Sequence, residues 1–150
     1  MKPRSKVLII AGSDSSGGAG IQADIKTVTA LGSYATTAVT AITAQNTKGV
    51  KKITSIPIKI VHKQITMILD DIGTHAVKIG MLHNTGVIKS VYKILKKYKS
   101  KNIVLDPVMV ALEVLFSLRK GKKASQLLNV FKPQPQILEN VIVKDKNVIS

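Results

Sequence analysis

The residues best placed to do chemistry stand together near the N-terminus, as Gly12-Ser13-Asp14-Ser15-Ser16-Gly17-Gly18-Ala19-Gly20. They follow an apolar run, Val7-Leu8-Ile9-Ile10-Ala11, and lead into Ile21-Gln22-Ala23-Asp24. Glycines let a ligand approach the backbone, and a helix starting here adds free N–H groups and the positive end of its dipole. Such a loop suits a small polar molecule; the alternative is a loop whose glycines only permit a tight strand-to-helix turn. Gly12 and Gly17 have P-loop spacing, but Gly18 and Ala19 follow where that motif needs lysine and a hydroxyl for magnesium. No Gly-x-Gly-x-x-Gly run is present, so a dinucleotide fingerprint fails as well.

The elements that must hold this loop alternate between strand and helix. Val7–Ala11 reads as a strand, and Ile21, Ile25, Val28 and Leu31 recur at helical spacing over 20–31, with Gly32 suited to the C-cap. Residues 34–43 are β-branched and read as a strand, and Val50 to Ile56 as a short one ended by Pro57. The spacing of Ile58, Val61, Ile65, Ile68, Leu69 and Ile72 predicts a helix, and Ala76 to Gly80 a strand. Asn84 is placed to cap a helix whose apolar face carries Val87, Ile88, Val91, Ile94, Leu95 and Tyr98. Asn102 to Leu105 is the next strand, closed by Asp106-Pro107. Strands separated by helices imply right-handed crossovers and a mainly parallel sheet, whose ligands sit beyond the C-terminal strand ends. Gly12, Gln45, Gly80-Met81 and Asp106 all follow expected strand ends, so four loops point to one rim.

Composition narrows the function classes. The 150 residues contain no cysteine, which excludes disulfides and thiolate metal sites. No stretch approaches the ~20 apolar residues of a membrane span, and the five-residue run before Gly12 is too short for a signal-peptide core, so the chain reads as soluble and cytoplasmic. The net charge of +15 is almost all lysine, with Arg4 and Arg119 the two arginines. Lys89, Lys93, Lys96, Lys97 and Lys99 fall largely on the polar side of one helix, which argues for a solvated face and against a specific nucleic-acid partner. His62, His75 and His83 lack ligand spacing, so no zinc site is expected. Asp70 and Asp71 point different ways and read as solvated.

Four ordered motifs carry a family resemblance over about residues 5–111. They are Ala11-Gly12-Ser13-Asp14-x-Ser16-Gly17-Gly18-Ala19-Gly20-Ile21-Gln22-Ala23-Asp24, Thr43-Ala44-Gln45-Asn46-Thr47, Lys78-Ile79-Gly80-Met81 and Val104-Leu105-Asp106-Pro107-Val108-Met109. Together they resemble the hydroxymethylpyrimidine/phosphomethylpyrimidine kinases of thiamine biosynthesis, which have the ribokinase-like α/β fold. The resemblance implies phosphate transfer from ATP, with Mg2+, to a small pyrimidine and then to its monophosphate. The glycine-rich loop would then line the pyrimidine pocket and not the ATP phosphates. Gln45 matches the glutamine that bonds the pyrimidine, and its amide offers both donor and acceptor. Asp24 matches a pocket carboxylate, although an ordinary first-turn aspartate steadied by the helix dipole would look the same. Gly12 and Met81 match pocket walls, and Asp106 stands where the fold places an acid near magnesium and phosphate. Ser15 occupies a position commonly proline, a departure expected to loosen the loop without removing a contact group. The family admits homo-oligomers. Pyridoxal kinase is the alternative within the fold, sharing the Asp-Pro-Val-Met signature, while the glycine loop and Ala44-Gln45-Asn46-Thr47 favour the pyrimidine enzyme.

After Ala111 the family's Thr-Pro-Asn and Gly-Thr-Gly motifs find no match. Residues 1–111 are therefore expected to be the N-terminal, substrate-side part of a ribokinase-like domain, incomplete in its C-terminal half. Residues 112–150 read as a divergent tail, from a frame change or a purposeful ending. The chain alone is then expected to lack useful kinase activity, with a non-catalytic pyrimidine-binding remnant as the alternative.

Overall fold

A computed structural model describes residues 3–106. Pro107-Val108-Met109 and the tail expected over 112–150 lie outside the described residues. The elements are β1 (Lys6–Asp14), α1 (Gly20–Ala30), β2 (Tyr34–Asn46), β3 (Gly49–Ser55), α2 (Ile58–Met67) with a π turn at Ile68–Ile72, β4 (Ala76–Ile79), α3 (Thr85–Lys97) and β5 (Ile103–Leu105). They build one sheet in the order β3-β2-β1-β4-β5. β1 runs parallel to β2 and β4, and β4 parallel to β5. β3 is antiparallel to β2, as two linking residues dictate, because a parallel partner would need a crossover of a dozen residues or more. The expected ribokinase-like α/β fold is the one observed, a mostly parallel sheet with flanking helices.

The strand alternation of β1 divides the core between two faces. Ile9 and Ala11 pack with Ile21 of α1, joined by Val7, Val28, Ala35 and Val39. Leu8 and Ile10 point the other way, in register with Val77 and Ile79 of β4, and all four are fully buried. α2 packs on β2 and on α3, burying Val61 and Ile65 against a layer that includes Val87, Val91, Ile94 and Leu95. The local signals at the helix ends hold as read. Asn84 Oδ1 accepts the Val87 N–H at 2.9 Å. Gly32, with φ 74°, lets its own N–H reach Thr29 O and that of Ser33 reach Val28 O, a Schellman ending of α1.

Two strand ends differ from expectation. β1 continues past Ala11 to Asp14, and β2 continues past Thr43 to Asn46. Gly12 and Gln45 are therefore inside strands and not in the loops beyond them. The polar run Ser13-Asp14 pairs with Ile42 and Thr43 because β2 is long enough to keep offering partners, while the register shift between Ala11 and Ser13 sets two β2 residues, Thr40 and Ala41, against Gly12, a bulge in β2.

β3 is exposed along its whole length and carries Lys51 and Lys52 at the sheet edge, where charge discourages pairing with another chain. Below the hairpin, Gln64 of α2 closes the bare edge of β2. Its Oε1 accepts the Val39 N–H at 2.9 Å and its Nε2 donates to Val39 O at 3.1 Å.

Candidate functional site

The glycine-rich loop is organised by its own aspartate. Asp14, at the end of β1, is 4% exposed. Its Oδ1 accepts from the Ser16 N–H at 2.8 Å and from Ser16 Oγ at 2.7 Å, while Oδ2 accepts from the N–H groups of Gly18 and Ala19 at 3.2 and 2.9 Å. The Ser16 hydroxyl foremost, then these amides, hold the Asp14 carboxyl below its ordinary value, against the opposing effect of burial. Three of the loop's N–H groups, those of Ser16, Gly18 and Ala19, are thus already taken by a carboxylate. Gln22 of α1 braces the same segment, accepting the Asp14 N–H at 2.8 Å through Oε1 and donating to Ser13 Oγ at 2.7 Å.

The sequence-expected residues fall into three groups along the rim. Gly12 and Met81 meet directly, since a Cβ on Gly12 would overlap Met81 Cε. Thr40 Oγ1 donates to Met81 O at 2.6 Å and fixes that wall to β2. Asp24 and Asp106 form the second group, joined by a residue that sequence reasoning missed. Lys78 of β4 places Nζ 2.7 Å from Asp24 Oδ2 and 3.2 Å from Asp106 Oδ2. Asp24 is not in the first turn of α1, so the helix-dipole explanation of it is corrected; its charge is met by Lys78. The signal lay in the strand itself, where a lysine inside Ala76–Ile79 is costly unless paired.

Gln45 makes the third group. It is half-buried, lies opposite Val50 across the hairpin, and its Oε1 lies 3.3 Å from Thr43 Oγ1. Its Nε2 has no hydrogen-bond partner among the described residues. Ser15, expected to loosen the loop, fastens it instead: Oγ donates to Gln45 O at 2.6 Å and accepts the Gln45 N–H at 2.8 Å.

Elsewhere the polar residues are locally engaged. His75 Nδ1 accepts the Lys6 N–H at 2.9 Å. Asp70, exposed in the π turn after α2, accepts from Tyr98 Oη at 2.6 Å, and that contact raises the Tyr98 phenol above its usual value. Asp70 thus has a side-chain partner that the purely solvated reading lacked.

Lys78→Met leaves two carboxylates facing one another. With Lys78 and Asp24 each about one-fifth exposed, the loss is expected to be about 1–2 kcal/mol, below that of a fully buried pair. Urea midpoints of the single variants and of Asp24→Asn/Lys78→Met check it. The double variant should lose less than the sum of the two.

A family model described as phosphomethylpyrimidine kinase matches residues 14–138, past Ala111, where the resemblance carried by the four motifs is expected to end. The thiamine biosynthesis bifunctional protein ThiED of Geobacter sulfurreducens is 50% identical over 109 residues, 73% of this chain and 22% of that protein. The hydroxymethylpyrimidine/phosphomethylpyrimidine kinase of Escherichia coli is 45% identical over 108 residues, 72% of this chain and 41% of the relative. Among solved structures, a phosphomethylpyrimidine kinase from Clostridium difficile 630 is 53% identical with a TM-score of 0.68, covering 71% of this chain and 46% of that one. A Bacillus subtilis pyridoxal kinase in complex with ADP is 43% identical with a TM-score of 0.65, covering 70% and 42%. The chain spans less than half the length of each of these relatives.

Proposed function

The chain belongs to the phosphomethylpyrimidine kinase family, and from that membership we propose that its described part recognises hydroxymethylpyrimidine and its monophosphate as phosphoryl acceptors from ATP. The observation that carries this reading is the loop whose Ser16, Gly18 and Ala19 N–H groups are already bonded to Asp14. What remains around it is glycine backbone, the Met81 methyl and the Gln45 amide, surfaces suited to a neutral aromatic ring with a polar edge.

In this reading Gln45 Nε2 and Oε1 bond the aminopyrimidine edge, and Gly12 and Met81 hold the ring faces. Asp24, its orientation fixed by Lys78, takes the amino or hydroxymethyl group. In the reaction the hydroxymethyl oxygen bonds to the γ-phosphorus of ATP as the bond to ADP breaks, and the hydroxyl proton leaves to a base. The family's Thr-Pro-Asn and Gly-Thr-Gly motifs find no match in the sequence, so the proposal concerns recognition and orientation of the acceptor. For Mg2+, which is commonly held by one or two carboxylates together with phosphate oxygens and water, Asp106 is a fitting donor: it is 54% exposed and only Oδ2 faces Lys78. Bound there, the ion would neutralise charge on the phosphates. We place this work in the cytoplasm; among the described residues no helix is long and apolar enough to cross a membrane.

Calorimetric titration of the 150-residue chain with hydroxymethylpyrimidine tests the proposal. Saturable binding is expected, weakened about tenfold or more by Gln45→Ala, since the lost amide leaves a polar ligand edge unpaired. A folded chain that ignores the pyrimidine, or that prefers pyridoxal, overturns it.

A further inference from the structure

We propose that Ser15 is a positioning residue that sets the aim of the Gln45 amide, and through it the site's affinity for an aminopyrimidine. The proposal rests on the pyrimidine reading of Gln45 given above. β1 stops pairing with β2 at Asp14↔Thr43, so the β1-facing N–H and C=O of Gln45 have no strand left to bond. The Ser15 hydroxyl takes the place of that missing strand, accepting from Gln45 N at 2.8 Å and donating to Gln45 O at 2.6 Å. One side-chain oxygen thus satisfies both backbone groups and extends the ladder by one residue.

The need for such a latch is local. Just before Gln45 the β2–β3 register shifts, between Ala44 and Gln45, so the hairpin alone defines the Gln45 backbone poorly. Among the described residues its side chain has one hydrogen-bond partner, Thr43 Oγ1 at 3.3 Å, whose hydroxyl already donates to Ser13 O at 2.8 Å. Backbone placement therefore decides where Nε2 points. The latch also ties Gln45 to the loop that Asp14 organises, so the ring-facing loop and the edge-reading amide move as one piece. Ser15 is itself exposed, so its loss should leave global stability nearly unchanged.

The test uses the full chain as wild type, Ser15→Ala, Ser15→Thr, Gln45→Ala and Ser15→Ala/Gln45→Ala, with hydroxymethylpyrimidine as the probe. Ser15→Ala should raise Kd about tenfold, the scale of one or two lost hydrogen bonds, while the urea midpoint stays put. Ser15→Thr, which keeps the hydroxyl, should restore wild-type Kd. The double variant should bind no worse than Gln45→Ala alone. Amide exchange at Gln45, measured without ligand, should quicken in Ser15→Ala and slow again in Ser15→Thr. Wild-type affinity in Ser15→Ala, or additive losses in the double variant, overturns the positioning role. Unchanged Gln45 exchange overturns the latch whether or not the probe binds. A wild type that does not bind, yet shows the expected exchange pattern, overturns the pyrimidine reading and leaves the latch standing.

Discussion

Asp14→Asn is expected to destabilise the fold by about 2–4 kcal/mol although it changes neither the size nor the shape of the side chain. Both carboxylate oxygens are surrounded by donors: Ser16 N–H and Oγ on Oδ1, and Gly18 and Ala19 N–H on Oδ2. An amide must turn its NH2 toward one pair or the other, so two donors lose their acceptor and meet a third. Hydrogen bonds to a charged acceptor contribute roughly 1.5–3 kcal/mol each, and the partial exposure of the loop argues for a total below their sum. The effect is pH-dependent in a definite direction. The folded carboxyl titrates below its ordinary 3.8, so its contribution is complete above that value and is lost as pH falls through the lower, folded one. Urea midpoints of wild type and Asp14→Asn should stand well apart at neutral pH and converge under acid. A gap that stays constant into the acid range would remove charge from the explanation.

Gly20→Ala should cost about 2–3 kcal/mol, whereas Gly12→Ala should cost about 1 kcal/mol or less. Both glycines admit no Cβ without overlap, but the obstacles differ in kind. At Gly20 the new carbon would strike the carbonyl oxygen of Gly12, a backbone atom held in β1, and the residue sits at φ 56°. An L-residue there adds roughly 1–2 kcal/mol of backbone strain to the clash. At Gly12 the obstacle is Met81 Cε, the far end of a flexible side chain, which can swing away. Chemical denaturation ranks the two. Equal losses would mean that Met81 is as rigid as the strand.

Much of this architecture is legible in local patterns, and the exceptions have a common cause. Gly32 and Asn84 announce helix ends because a cap is made by the residue that occupies it and its near neighbours. Ile9, Ala11 and Ile21 announce a core by periodicity. Ser13 and Asp14 do not announce a strand, because a polar pair carries no apolar alternation; they pair only since β2, more than twenty residues on, is long enough to receive them. The role of Asp14 was hidden for a related reason. Its four donors come from glycine-rich backbone and one serine, which look from the sequence like a cradle waiting for a ligand. Gln45, Asp24, Gly12, Met81 and Asp106 could be singled out in advance, but the lysine bridging two of them could not. Lys78 reaches partners 54 residues before it and 28 after it, and no spacing rule connects such positions.

The Gln64 amide on Val39 has a mechanical consequence. Because the helix, and not β3, satisfies the β2 backbone at that point, β3 pairs with β2 only beyond it among the described residues, from Ala41↔Ser55 onward. It behaves like a leaf hung on a finished frame. The seam stays shut at Val39 when the outer strand swings, so such an excursion ends at Thr40, which holds the Ile56 N–H through its carbonyl and Met81 through its hydroxyl. Motion of that leaf is a local event, far less costly than global unfolding, and it would carry Val50 away from Gln45 without unsettling the buried Leu8, Ile10 and Val77 of β1 and β4.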